Sequence, residues 1–368
     1  MESVAHVGMD VDKEKIAIAV VKDFESEPRL QQMIRNRSGA DEKLVTELKA
    51  TYDRVTLCYE AGACGFELYR RITDLGALCV VVAPASVPKK ANDRIKTDRR
   101  DAVKLATGLR SGELSPVYVP TREDEALRDY LRAYEDIKAE LKRAKQRLVH
   151  FLLRHEIRYE DGKNWSAKYW TWLRSLTFDS PMMALAFEEY VGQIVRLEET
   201  RKRIADRLEA VAAEEQYEKK VQTLRAFKGI GTLTALSFIV EIGNFRRFAR
   251  AEQFMAFLGL VPSEYSIGGR RRLGSITKAG NRLLRKLLIE AAWHARYYNA
   301  QGTTIMKDRA AVSPEIATYA DRAGKRLNRK YWRRSERQTT TPGRGYGGCP
   351  RTCGIHLGRN GGTNGLTR

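Results

Sequence analysis

The chain has 368 residues, 43% of them apolar, which is enough for two or three domains with cores of their own. Its formal net charge of +20 and pI of about 9.8 point to a polyanionic partner, with nucleic acid ahead of a membrane surface. No apolar run approaches the roughly 20 residues of a membrane-spanning helix; "MESVAHVGMDVDKEK" lacks the basic-then-apolar order of a secretion signal; and five scattered cysteines fit a reducing cytoplasm rather than a disulfide framework.

Residues 4–21, "VAHVGMDVDKEKIAIAVV", read as two short strands around a polar turn. Residues 54–61, "RVTLCYEA", form another strand, and a helix follows from about Gly65 to Leu75. "ALCVVVAP" (77–84) is a buried strand ended by proline, and a helix starts near Thr97. Strands alternating with helices predict a mostly parallel α/β sheet.

After Pro120 the period changes. Tyr130, Tyr134, Ile137, Leu141, Ala144, Leu148 and Phe151 alternate spacings of four and three, a heptad seam. A second seam runs through Met183, Phe187, Tyr190, Ile194, Leu197, Ile204, Leu208 and Val211, with Arg201 intruding. The aromatic segment "NWSAKYWTWLRSL" lies between them. Such stripes pair helices within a chain or between chains.

A third region begins near Tyr217. Gly229-Ile230-Gly231 sits between two apolar-periodic segments, as in a helix-hairpin-helix, where backbone N–H groups and a helix N-terminus meet a phosphate. An ordinary tight helix–helix turn has the same look. Arg270, Arg271, Arg272, Lys278, Arg282, Arg285 and Lys286 make the densest cationic stretch of this region, with few acids between them, which favours phosphate contact over a solvated face. From residue 335 onward the chain is rich in glycine and arginine without apolar periodicity, and is predicted to be disordered. Cys349, Cys353 and His356 have neither the spacing nor the fourth ligand of a zinc site.

The acids carry the chemistry. Asp10 ends one strand pattern in "HVGMD" and Glu60 another in "LCYEA". Asp98 and Asp101 lie three apart in "IKTDRRDAVK", on one face of a helix start. Each has an ordinary reading taken singly: a helix-start acid, a turn aspartate, a surface charge. Together they can hold divalent ions, and oxygen ligands with open water positions suit Mg²⁺ or Mn²⁺. Lys96, Arg99, Arg100 and Lys104 then serve as counter-charges for a nucleic-acid backbone.

"GMDVDKEKIAIAV", "CYEAG", "KTDRRDAVKLA" and "FLGLVPSEYSIGGRRRLGSITKAGNRLLRKLL" resemble the DEDD transposases of insertion-sequence family 110, over roughly residues 5–334. The resemblance implies an α/β RuvC-like, RNase H-like domain over 1–118, with Asp10, Glu60, Asp98 and Asp101 as its catalytic, metal-binding tetrad. It implies long antiparallel coiled-coil helices for oligomerisation over 119–215, and a mostly helical C-terminal transposase domain with a serine nucleophile over 216–334. Residues 335–368 then form a tail. Members act on the DNA of their own element, some with a structured guide RNA, and assemble as homo-oligomers (dimers or tetramers) that join one subunit's acids to another's serine. Gly229, Gly231, Arg270, Arg271, Arg272, Lys278 and Arg282 are the expected nucleic-acid contacts, besides Lys96, Arg99 and Arg100.

The sequence departs from the family pattern at the serine. Its usual position, directly before glycine, holds Ile267, and Ser266 lies one earlier. Three readings follow: Ser266 is the nucleophile after a small shift of the loop, Ser275 or Thr277 replaces it, or the enzyme is damaged. The composition beyond "KRLNRKYWRR" resembles out-of-frame translation, and a frameshift near residue 334 is expected. Beside a metal-and-serine recombinase stand a RuvC-type metal-dependent nuclease that uses water, a decayed nucleic-acid-binding relic, and a coiled-coil scaffold.

Overall fold

The structure, a computed structural model, describes residues 3–23, 25, 27–87 and 97–339. Lys96 and the Cys349, Cys353 and His356 group lie outside the described residues. The chain divides into two compact units, Met1–Val119 and Pro120–Arg368.

The first unit runs β1 (Val4–Val11), β2 (Lys15–Lys22), β3 (Leu30–Arg35), α1 (Ala40–Thr51), β4 (Arg54–Glu60), α2 (Glu67–Asp74), β5 (Leu78–Val82) and α3 (Asp98–Ser111). The strands form one sheet in the order β3-β2-β1-β4-β5. β1 pairs antiparallel with β2, and β2 with β3, whereas β1–β4 and β4–β5 are parallel. The sheet is therefore mixed, not mostly parallel. A turn closed by the Asp12 N–H on the Lys15 carbonyl (2.9 Å) can only return β2 antiparallel, while β4 and β5 are reached by helical crossovers through α1 and α2. β3 and α1 are elements the sequence reading missed.

Helices cover both faces, so β2 is buried along Ile16–Val21 instead of alternating. Ala5, Val7, Met9, Leu57 and Tyr59 pack with Leu44 and Leu48 of α1 and Leu68 and Ile72 of α2. On the opposite face Ala17, Ala19 and Val21 meet Ala102 and Ala106 of α3, and Cys58 meets Leu105. Small residues let α3 lie close. A Cβ on Gly8 would stand 2.1 Å from the Ala102 carbonyl oxygen, so only glycine fits under the helix.

The second unit opens with α4 (Arg122–Arg154), capped by the Thr121 hydroxyl, which accepts the Asp124 N–H (3.1 Å). α5 (Ala167–Ser175) and α6 (Pro181–Ala212) follow. α4 and α6 run antiparallel. Phe151 stacks on Tyr190 (5.3 Å) towards one end, and Lys145 pairs with Glu198 (2.6 Å) further along. Towards the other end Leu127 and Leu131 share a core with Ile204 and Leu208. The first seam is largely buried, at Tyr134, Leu141, Ala144, Leu148 and Phe151; of the second, Ile194, Ile204 and Leu208 are buried and Met183, Phe187, Tyr190, Leu197 and Val211 are half-buried. α5 closes the tip with an aromatic cluster in which Tyr169 meets Trp165 (5.0 Å) and Tyr159 (5.1 Å).

Next come α7 (Glu215–Arg225), α8 (Thr232–Ile242), α9 (Ala251–Phe257), the short strands β6 (Pro262–Glu264) and β7 (Leu273–Ile276), α10 (Arg282–Trp293), α11 (Thr303–Ala310) and α12 (Pro314–Thr339). α8 is buried on all sides, which its run "LSFIV" demands. The core around it includes the α4 and α6 ends as well as α7, α9 and α10, so the long helices and the C-terminal helices are one unit. α12 continues to Thr339, so residues 335–339 of the stretch expected to be disordered are helical; 340–368 lie outside the described residues.

Candidate carboxylate site and serine hairpin

The parallel register of β1 and β4 runs through Met9 beside Tyr59, so the next step sets Asp10 beside Glu60. Both stand at the carboxyl ends of their strands, the edge where open α/β sheets bind ligands. Met9 and Tyr59 face α1 and α2, so Asp10 and Glu60 belong to the face that α3 covers. α3 begins at Asp98, its end capped by the Thr97 hydroxyl, which accepts the Arg100 N–H (3.4 Å). Asp98 and Asp101 share its first turn, and Ala102, which packs on Gly8, follows directly. Asp101 is partly buried and ion-paired with Lys104 (2.9 Å), while Glu60 and Asp98 are exposed and Asp10 is half-buried.

All four acids thus come to one face of one sheet. Among the described residues, however, no group of three or more Asp, Glu, His or Cys is gathered closely enough to hold a metal ion. The donor chemistry fits a hard divalent cation, being all carboxylate oxygen and open to water. Arg99 and Arg100 are exposed beside the acids.

Ser266 lies in the hairpin of β6 and β7. The Tyr265 N–H donates to the Arg272 carbonyl (2.9 Å), and the Arg270 N–H to the Ile267 carbonyl (3.2 Å). Gly268 (φ 59°) and Gly269 (φ 77°) form the tip; two successive left-handed residues are the demand of a two-residue hairpin turn. The Ser266 hydroxyl donates to Glu264 Oε1 (2.8 Å), and the Arg271 guanidinium meets the same carboxylate (3.3 Å). The Ser266 hydrogen bond and then Arg271 hold the Glu264 carboxyl below its usual range, so it is ionised at neutral pH. Glu264 was missed from sequence, although its place two residues before the serine, on the same side of a strand, was a usable signal. Ile267 is 66% exposed and fills no core. At the hairpin base the Ser275 carbonyl accepts from Ser263 Oγ (3.1 Å) and the Thr277 N–H donates to Val261 (2.9 Å), which ties both candidate substitutes into the backbone ladder.

The hairpin is rooted firmly. Cβ atoms on Gly259 and Gly280 would stand 2.1 Å from the Ala279 carbonyl and 2.0 Å from the Phe257 carbonyl, so two backbones cross here. Asn281 caps α10 by accepting the Leu284 N–H (3.0 Å) and donates to Glu241 Oε2 (2.8 Å). Glu241 is buried and also receives Arg132 of α4 (3.0 Å), with Arg128 at 3.7 Å. Arg270, Arg271, Arg272, Lys278 and Arg282 are exposed around this root, and Lys278 takes a left-handed backbone (φ 55°). Arg285 instead turns to the Leu258 carbonyl (2.8 Å), and Lys286, also exposed, is ion-paired with Glu135 (2.8 Å).

The glycine turn lies between α7 and α8. Gly229 (φ 95°) packs against α10, where a Cβ would meet the Ala291 carbonyl at 2.3 Å, so packing alone explains it. Gly231 is the exposed N-cap of α8, with open space around it.

Residues 7–156, which contain all four acids, match the family model of DEDD transposases of the IS110 type, and residues 221–306, which contain the hairpin, match that of the transposase IS116/IS110/IS902 family. y4qE of Sinorhizobium fredii, named as a transposase, is 36% identical over 89% of this chain and 81% of its own length. The transposase for insertion sequence element IS1533 of Leptospira borgpetersenii is 33% identical over 90% of this chain and 96% of its own. A family 20 transposase of Pseudomonas aeruginosa is 30% identical over 62% of this chain and 68% of its own. The DEDD match implies an RNase H-like fold, with which the mixed sheet covered on both faces agrees.

Proposed function

This chain belongs to the IS116/IS110/IS902 transposase family and is a DNA transposase, and from that premise we propose that it cuts and rejoins the ends of its insertion sequence with Asp10, Glu60, Asp98 and Asp101 as metal ligands and Ser266 as nucleophile. The observation that carries the nucleophile assignment is the Ser266 hydroxyl held on an ionised Glu264, in an exposed arm that also bears Arg270, Arg271 and Arg272.

In this reading Ser266 Oγ attacks the scissile phosphorus, a phosphoserine ester forms, and the strand's sugar hydroxyl leaves. A strand hydroxyl then attacks the ester, restoring the serine and joining the DNA without an outside energy source. Glu264 aims the Oγ. Arg270, Arg271, Arg272, Lys278 and Arg282 hold flanking phosphates, as do Arg99 and Arg100 at the carboxylates. Divalent-metal dependence is typical of the DEDD family; a bound Mg²⁺ or Mn²⁺ would neutralise charge on the phosphate. A structured guide RNA belongs to the same reading, supported by the chain's net charge of +20, and so does assembly into dimers or tetramers. Among the described residues no helix is long and apolar enough to cross a membrane.

The test is a covalent adduct. The protein is mixed with its element's junction DNA, RNA from the flanking region and Mg²⁺, and resolved under denaturing conditions. The reading expects an adduct that disappears in Ser266→Ala and in Asp98→Ala. Strand cleavage retained by Ser266→Ala would replace it with hydrolysis by water.

A further inference from the structure

Trp293, at the end of α10, begins a run of π surfaces on the C-terminal helices. Its ring lies edge-to-face on Tyr331 (6.2 Å), which lies on Trp332 (5.3 Å). In the other direction the Arg296 guanidinium sits 5.8 Å from the Trp293 ring and 4.3 Å over Tyr297. Large parts of this run face water: Tyr297 is 66% exposed, Trp332 48% and Trp293 41%. A soluble protein rarely leaves contiguous aromatic surface uncovered without a use for it.

The run is held rigid. Asn328 of α12 donates to the Ala295 and Arg296 carbonyls (2.9 and 3.1 Å), pinning the turn that carries Arg296 and Tyr297. At Gly324 α12 lies so close to Tyr298 that a Cβ would come within 2.1 Å of its ring. Arg329, Lys330 and Arg333 are exposed on the same stretch of α12 that carries Tyr331 and Trp332. Exposed aromatic rings, a stacked guanidinium and flanking cations, all pre-set, are the chemistry that receives unpaired bases: rings take the base faces and cations the phosphates.

We infer that Tyr297, Arg296, Trp293, Tyr331 and Trp332 form a stacking platform for unpaired DNA, built from residues to which the proposed cleavage chemistry assigns no part. This rests on the reading of the chain as a protein that opens and rejoins DNA strands. DNA is the occupant because it is the substrate class of the family.

The test uses the full chain and a labelled 20-mer of deoxythymidine, followed by anisotropy and by quenching of tryptophan emission. Trp332→Ala and Tyr297→Ala should each bind roughly 10- to 100-fold more weakly, Trp332→Phe should restore most of the affinity, and melting temperature and binding to a blunt duplex should stay unchanged. Affinity for deoxythymidine within twofold of wild type in both alanine variants would overturn the platform. Loss confined to a uridine 20-mer would overturn the assignment to DNA in favour of RNA. Adduct formation is scored in parallel: an adduct with unaltered single-strand binding sinks the platform alone, and platform loss in Trp332→Ala without any wild-type adduct supports the platform while the nucleophile reading falls.

Discussion

Gly8→Ala tests whether the carboxylates work as one site. The new methyl would lie 2.1 Å from the Ala102 carbonyl oxygen and 2.4 Å from the Ala106 nitrogen, both backbone atoms of α3. The closest ordinary C–H···O approach is about 3.3 Å, so α3 and β1 must separate by roughly 1 Å. Overpacking of this kind costs about 1–3 kcal/mol, to be read as a lower denaturation midpoint of the full chain. The larger consequence is positional. α3 carries Asp98 and Asp101, and β1 carries Asp10 two residues past the clash. Misplacing reacting groups by about 1 Å can cost around 100-fold in rate. Single-turnover cleavage of junction DNA should therefore fall far more than the fraction folded. A Gly8→Ala protein that melts like wild type and cleaves at the wild-type rate would refute the coupling of helix seating to chemistry.

Other outcomes follow from the second unit. Glu241→Ala removes the carboxylate beside Arg128 and Arg132 but leaves Arg128 its bond to the Val240 carbonyl (2.7 Å), and should lower stability by about 1–3 kcal/mol in chemical denaturation. Glu264→Gln should slow adduct formation without moving the melting temperature; since Ser266 and Arg271 hold the Glu264 carboxyl below its usual range, wild-type rates should show no Glu264-linked fall between pH 7 and 5. Ile267→Ser should change stability by less than about 0.5 kcal/mol, the side chain being 66% exposed, and a rise in adduct yield would place the attacking hydroxyl at 267. The Tyr298 hydroxyl and then Lys325 hold Asp321 down to about 2 from 3.8. A depressed carboxylate stabilises the fold above its unfolded value, so this contribution should be full above pH 4 and lost as pH falls through 2. The stability gap between wild type and Asp321→Asn, measured along an acid titration, should close over that window.

β1, β2, β4, β5 and the start of α3 were legible because their signals are local: a polar turn between apolar runs, and a threonine three residues before an N–H it can cap. The two seams were legible because a heptad repeat is a one-dimensional record of a two-helix contact. Strand direction was not. Alternation of strands and helices counts crossovers but does not show that β1, β2 and β3 meander, so a mixed sheet looked parallel. β3 was missed because "LQQMIR" is an edge strand with little apolar surface to betray it. At the hairpin the sequence offers Ser266 as a candidate but does not show that it bonds the Glu264 carboxylate. Glu241 and Asn281, forty residues apart, say nothing of each other until the helices meet.

α4 is 33 residues long, about 50 Å of stiff rod. Near one end, through Arg128 and Arg132, it is bolted to Glu241 and thence to Asn281, the residue that begins α10 beneath the basic hairpin. In mechanical terms this is a lever welded to its load. Torque applied at the aromatic tip of the rod would be passed through these contacts towards Lys278 and Arg282. Glu241→Ala would loosen that weld, while the Leu127 and Leu131 packing, the Arg128 bond to the Val240 carbonyl (2.7 Å) and the Lys286–Glu135 pair (2.8 Å) still carry the load.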